Sequence, residues 1–241
     1  MEDIRREYKT SDIRDLFIQM YVQKSYRNIG NKVQQSLTIE IQNAHFLADD
    51  DWIIRKPNYD YAKRELEWYN RQSLNVNDIP GDKVPDMWKA CATADGRINS
   101  NYGWCIFSDE NGKQYENCLQ KLLDDPHTRE AIMIYNRPSM WKDYCKDGMH
   151  DFMCCQNQQY FINERDNETY IDVIVNFRSN DAVFGYCNDY IWSKYVLELL
   201  AADLSRLTGH KVNIGRIWWN AGSLHIYERH FKHLEKLMSN E

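Results

Sequence analysis

Long apolar runs are missing from this sequence. No window of its 241 residues comes near the roughly 18 apolar residues that a membrane-spanning helix needs. The start, Met1-Glu2-Asp3-Ile4-Arg5-Arg6-Glu7, lacks the apolar stretch of a secretory leader. Both absences point to a cytoplasmic protein with no membrane contact. No Cys-x-x-Cys pair exists among the seven cysteines, an odd number with one adjacent couple, Cys154-Cys155. That argues against a structural zinc site, so no metal is expected. It fits free thiols in a reducing compartment better than a disulfide framework. Basic excess is also missing: the net charge is −6, which speaks against a broad nucleic-acid-binding face. A small phosphorylated ligand stays open, because about two to four focused arginines suffice to hold one phosphate. There is no repeat, linker or low-complexity run, and 43% of the residues are hydrophobic. One domain over residues 1–241 is the simplest account.

What is present is a readable alternation of elements. Residues 3–25 carry Ile4, Tyr8, Ile13, Leu16, Phe17 and Met20 at helical spacing, for one or two short helices. Arg27 to Gln35 is polar and contains Gly30, so it reads as a loop. Leu37 to Phe46 alternates as a half-buried strand. Helices are expected over 58–72, capped by Asn58 or Asp60, over 86–94, and over 114–123, ending before Pro126. Ala131 to Tyr135 is a short apolar strand, and 137–151 a loop. Residues 152–162 and 170–178 form a hairpin in which Ile171, Val173, Val175 and Phe177 share one face. Residues 188–207 have an apolar stripe too wide for a surface helix and end at Gly209, as a buried helix would. A strand over 212–219 and a helix or strand-helix over 223–237 close the chain.

The chemistry-bearing residues begin with Cys154. A lone cysteine is more often a small apolar filler than a nucleophile, since reactivity needs a depressed pKa and access. What singles Cys154 out is the stretch Arg178-Ser179-Asn180-Asp181-Ala182-Val183-Phe184-Gly185, followed by Asn188-Asp189. Four further stretches stand in the same order around these: Arg64-Glu65-Leu66-Glu67-Trp68-Tyr69, Ile98-Asn99-Ser100-Asn101-Tyr102-Gly103-Trp104, Asp125-Pro126-His127-Thr128-Arg129 and Gly222-Ser223-Leu224-His225-Ile226-Tyr227. Each alone has a bland reading as a solvated glutamate, a packed aromatic, a turn or a cap. In order, the six resemble the thymidylate synthase family, and the aspartate at 189 resembles the branch that hydroxymethylates deoxycytidylate, known from T-even-type bacteriophages.

That resemblance implies an α/β (α+β) fold, a mixed β-sheet flanked by helices, paired sheet to sheet in a homodimer. It implies that Cys154 adds to C6 of a pyrimidine nucleotide, so that C5 becomes a carbon nucleophile toward the one-carbon unit of 5,10-methylenetetrahydrofolate. Glu65 is then the general acid/base, and Tyr102 aids proton removal at C5. Arg178 and Ser179 bind phosphate, and Arg178 stabilises the thiolate. Arg129 binds phosphate too, from the partner subunit, although Glu130 stands where the family has a second arginine. Arg27 is a guess for the N-terminal phosphate ligand. His225 and Tyr227 hold the sugar. Trp88, Asp181, Phe184 and Gly185 line the folate site. Asp189, or Asn188 one position away, reads the base. An ionised carboxylate only accepts hydrogen bonds, which suits the cytosine amino group, so dCMP is the expected substrate. Methylation of dCMP, a CMP or dUMP substrate, or an inactive member serving as a scaffold stay open.

Overall fold

The computed structural model describes residues 7–30 and 35–239. Ile4 lies outside them. One helix, α1 (Thr10–Val22), follows the N-terminal pattern and buries Ile13 and Phe17. The expected loop after it begins as an edge strand, β1 (Arg27–Gly30), paired antiparallel with β2 (Gln35–Leu47). An edge strand is held by backbone bonds along one side and tolerates polar side chains, so its sequence resembles a loop.

Helix α2 (Tyr59–Asn70) starts where the Asn58 side chain accepts the Tyr61 amide at 3.1 Å. It buries Glu65, Trp68 and Tyr69. Helices α3 (Asp86–Cys91), shorter than expected, and α4 (Tyr102–Phe107) follow. Asn101 caps α4 at the Trp104 amide, 2.8 Å, and its amide donates to the carbonyls of Trp68 and Ser73. A Cβ on Gly103 would lie 1.9 Å from the Tyr69 carbonyl oxygen. Only glycine lets α4 approach α2 this closely, and that approach stacks Tyr102 on Tyr69 at 5.3 Å between ring centroids.

Helix α5 (Gln114–Asp124) stops before Pro126, as expected. Strand β3 (Ile132–Ile134) and a short helix α6 (Met140–Asp143), in the stretch read as loop, precede the hairpin. Its arms are β4 (Cys155–Arg165) and β5 (Glu168–Phe177). Asp166 and Asn167 both take positive φ, 52° and 62°, residue types that tolerate this tight turn. Strand β6 (Asn180–Asp181) leads into α7 (Gly185–Thr208), closed by Gly209 at φ 74°. Val196, Leu197, Leu200 and Leu204 are buried, each worth about 2 kcal/mol in burial. Strand β7 (Val212–Tyr227) runs on past 219, and α8 (Phe231–Met238) follows it, so 223–237 is the strand-helix of the two alternatives expected there.

The sheet order is β1-β2-β7-β5-β4-β3, with β6 also on β7. Pairing is antiparallel except for β5 and β6 on β7, which are parallel. The parallel connection is carried by α7, which packs on β5 and β7. This is the mixed sheet with flanking helices that the sequence implied. The opposite face carries a row across four strands: His45 Nδ1 to Asn220 Oδ1 at 2.6 Å, Asn220 to Asn176 at 3.0 Å, and Asn176 to Asn157 at 2.8 Å. Among the described residues no helix is long and apolar enough to cross a membrane.

Candidate active site

Cys154 and Arg178 meet because they flank the hairpin. Cys155 pairs with Phe177 across β4 and β5, and the Arg178 amide donates to the Cys154 carbonyl at 3.0 Å. The guanidinium holds the segment before the thiol: Nε donates to the Met153 carbonyl at 2.9 Å, and Nη2 to that of Phe152 at 2.6 Å. Nη2 also stands 3.6 Å from the Cys154 sulfur. The expected thiolate is not the resting form. Burial pushes the Cys154 thiol up to about 11, and Arg178 pulls it back only in part. Cys155 is fully buried, with its thiol driven further up by the same cause.

Alkylation tests this balance. In a Cys145→Ser background, which removes an exposed thiol, iodoacetamide labelling is followed on the Cys154 peptide by mass spectrometry. The rate is expected to rise about tenfold per pH unit from pH 7, because only the thiolate reacts. The midpoint should lie at about 11. A plateau below pH 9 would mean that the guanidinium, not burial, dominates.

Glu65 sits on the inner face of α2, 6% exposed. The Tyr61 hydroxyl and the Trp88 indole, at 3.0 Å, both donate to its Oε1. These bonds favour the carboxylate, yet burial outweighs them and raises its pKa. Trp88 also donates to the Tyr61 hydroxyl at 2.9 Å, so the indole fixes this carboxyl as well as presenting a half-buried ring. Asp189 lies inside α7, not at its cap, which falls at Phe184. Burial, and then repulsion from Glu65, hold the Asp189 carboxyl well above the usual range. The Asn180 amide, donating to Oδ2 at 2.7 Å, and the Tyr102 hydroxyl oppose this shift. Burial therefore disfavours the charged form of both carboxyls, more strongly at Asp189.

On β7, His225 is 5% exposed. Its Nδ1 lies 3.3 Å from both the Ser223 carbonyl and the Ser223 hydroxyl. A carbonyl only accepts, so Nδ1 carries the proton and Nε2 is left as an acceptor. Burial lowers the pKa and keeps the ring neutral. Ser223 donates in turn to Glu40 Oε1 at 2.5 Å. Tyr227 packs edge-on to His225 at 4.7 Å. His225 Nε2, Asn188 Oδ1 and Asn180 Oδ1 are buried without a hydrogen-bond partner. Buried acceptors are costly when unpaired, and together these three mark where a polar ligand belongs.

Asp181 Oδ1 accepts the amides of Val183 (2.7 Å) and Phe184 (3.2 Å), and Oδ2 lies 4.0 Å from His230 Nε2. Phe184 is 37% exposed, with His230 against its ring and Arg55 over it. Gly185 opens α7, where a Cβ would stand 3.4 Å from the Asn180 amide nitrogen. Ser179 is half-buried beside Arg178. Two residues are not drawn in. Arg129 is exposed next to β3, its carbonyl bonded to Gln159, roughly 13 Å along β4 from Cys155 at about 3.3 Å per residue. Arg27 pairs with Glu40. Glu130 pairs with Lys121 on α5, which leaves Arg129 without a repelling neighbour aimed at the same ligand. An open cleft of about 550 Å³ between α2 and α7 is lined by Asp50, Tyr59, Lys63 and Lys194, and by none of the groups above.

The thymidylate synthase family model matches residues 31–241. The chain belongs to the thymidylate synthase family. The deoxycytidylate 5-hydroxymethyltransferase of enterobacteria phage T4 is 51% identical over 195 residues, covering 80% of this chain and 77% of that protein. The thymidylate synthase of Bacillus subtilis subsp. natto is 26% identical over 196 residues, covering 78% and 64%. Among solved structures, thermostable thymidylate synthase A from Bacillus subtilis superposes with a TM-score of 0.65 at 21% identity, over 96% of this chain and 84% of that one. Within this family fold the sequence motifs had marked Cys154, Glu65, Asp189 and His225. They had left Asn180, Tyr61, Ser223 and Glu40 without a role. Asn180 stood inside a quoted motif, but nothing in the linear order said that its amide meets Asp189.

Proposed function

We propose that this chain is a deoxycytidylate 5-hydroxymethyltransferase: it transfers a one-carbon unit from 5,10-methylenetetrahydrofolate to C5 of dCMP and hydrates it, giving 5-hydroxymethyl-dCMP. The observation that carries this is 51% identity over most of the chain to a phage enzyme of that name. A carboxyl at 189, raised in pKa by burial and bonded at Oδ2 by the Asn180 amide, supports the choice of base. The whole chain acts as one catalytic domain.

The chemistry follows from the groups in place. A protonated Asp189 gives its proton to cytosine N3 and accepts from the 4-amino group, which makes C6 electrophilic. The Cys154 thiol loses its proton, and sulfur bonds to C6. C5 then attacks the one-carbon unit. The residues fit a folate: Phe184 and Trp88 offer ring faces, and Asp181 offers a carboxylate oxygen for amino or imino hydrogens. When bound, the folate supplies carbon at the oxidation level of formaldehyde. Glu65 would pass the C5 proton to the folate nitrogen as the bond from that nitrogen to the transferred carbon breaks and tetrahydrofolate leaves, and would then take a proton from the water that completes the hydroxymethyl group. As that C–O bond forms, the C6–S bond breaks and the thiolate leaves. His225 Nε2 accepts the 3′-hydroxyl, with Tyr227 beside it. Arg178 and Ser179 hold the phosphate, joined by Arg129 of a second subunit in a sheet-to-sheet homodimer. The exposed position of Arg129, away from its own chain's Cys154, favours that arrangement. The setting would be a phage-infected host's cytoplasm.

One incubation decides the reaction. With methylenetetrahydrofolate and either dCMP or dUMP, the nucleotide mass and the folate absorbance are followed. Gain of a hydroxymethyl group on dCMP, without dihydrofolate, is expected. A methyl group with dihydrofolate would replace the proposed last step. Binding of dCMP with no product would favour a scaffold, a reading already weakened by the Glu130–Lys121 pair.

A further inference from the structure

A carboxylic acid is an ambivalent reader of a pyrimidine edge. With the proton on one oxygen it donates to N3 and accepts from an amino group, which is cytosine. With the proton on the other it accepts from N3–H and donates to O4, which is uracil. A buried carboxyl held protonated therefore does not by itself prefer cytosine. Something has to fix the proton.

Asn180 is placed to do this. It is 3% exposed on β6, and its Nδ2 donates to Asp189 Oδ2 at 2.7 Å. An amide N–H only donates, so the oxygen it meets is kept as the carbonyl-like acceptor and the acid proton goes to Oδ1. The other hydrogen-bonding neighbour of Asp189, the Tyr102 hydroxyl, both donates and accepts, and so does not choose. The amide does little for the fold: its Oδ1 is buried with no partner. Gly185 leaves the space it fills, since a Cβ there would come to 3.4 Å from Nδ2 and 3.6 Å from Asp189 Oδ2.

Building on the function proposed above, we propose that Asn180 is the specificity-determining positioning residue of the base site. By donating to Asp189 Oδ2 it places the acid proton on Oδ1, facing N3, and leaves Oδ2 to accept from the 4-amino group. It acts through Asp189.

The test compares Asn180→Leu, which keeps the branched shape without a donor, with Asn180→Ser, whose hydroxyl stays polar but, like that of Tyr102, both donates and accepts. The dCMP to dUMP ratio of kcat/KM is measured for each and for the wild type. The leucine variant is expected to lose about 10- to 100-fold of that ratio, the span of one buried hydrogen bond, and serine, whose hydroxyl does not choose, to recover little of it. The pH profile gives a second readout. The groups facing Asp189 are Glu65 and Tyr69 from α2, Tyr102 from α4, Cys154 and Cys155 at the start of β4, Asp181 from β6 and Cys187 from α7. All of these stay. Losing the N–H bond to the carboxylate should move the alkaline limb for dCMP to higher pH. A purely structural role would lower both substrates together, leave the ratio and the limb in place, and overturn the inference. Should the leucine variant fail to fold, Asn180→Ala reads the same ratio. A wild type that prefers dUMP would overturn the proposed function itself, an outcome separate from an unchanged ratio in a wild type that prefers dCMP.

Discussion

Asp189→Asn is expected to transfer the preference of the enzyme from dCMP to dUMP. Two effects add. The amide has no acidic proton, so cytosine N3 is not protonated and C6 stays a poor electrophile. Loss of a general acid costs about 10²- to 10⁴-fold, and this falls on dCMP alone. Uracil brings its own N3–H and O4, which an amide matches with one acceptor and one donor. The structure permits that pairing: a neutral amide at 189 no longer demands the donor that a carboxyl does, so Asn180 can turn its unpartnered Oδ1 toward it and keep a mutual hydrogen bond. With both effects the ratio of kcat/KM should move by about 10⁴ or more, the scale reached where a site's hydrogen-bonding groups are matched or left unpaired. Steady-state kinetics on both nucleotides checks it. An Asp189→Asn variant that still favours dCMP would remove Asp189 from the base site.

Cys154→Ala should abolish turnover, by at least about 10⁵-fold, as removal of a catalytic nucleophile does elsewhere. C5 of a pyrimidine is no nucleophile until C6 has been attacked, so no slower route through the same site exists. Cys155 is no substitute, because it is fully buried and its thiol is harder still to ionise. Binding of dCMP should change by less than about threefold, since the sulfur contributes little before the bond forms. Incubation with 5-fluoro-dCMP and methylenetetrahydrofolate makes the distinction visible, because fluorine at C5 cannot leave as a proton does. The wild type should gain the adduct mass on the peptide holding Cys154, and the variant none. Residual turnover within a hundredfold of wild type would mean that another group is the nucleophile.

Much of the architecture was legible where periodicity and punctuation agreed. The alternation of Ile171, Val173, Val175 and Phe177 marked a buried strand face, and Gly209 marked the end of α7. The misreadings have local causes. β1 is polar because an edge strand needs no apolar side chain. α7 begins at Gly185, before the Asn188-Asp189 pair that looked like a cap, because Asp181 already bonds the amides of Val183 and Phe184 ahead of it. The strand β7 passes through Gly222-Ser223, a pair that suggests a break. There a Cβ would stand 2.9 Å from the Arg178 carbonyl oxygen, so the glycine serves a close strand approach. The candidate catalytic groups could be named from motifs in order. Their protonation could not, because burial sets it: a thiol beside an arginine reads as a thiolate in the sequence and is a thiol in the structure.

The row His45–Asn220–Asn176–Asn157 bears on what can cover the open side of the sheet. Stripping water from amides normally leaves donors and acceptors stranded. Here the three cross-strand links are made within one chain, so those groups keep their partners when the solvent leaves. The row's ends, His45 Nε2 and the Asn157 amide nitrogen, make no such link, so a covering surface has few groups to partner rather than a whole row. A second copy of the same sheet, laid against the first, would therefore have to match it in shape more than in polarity.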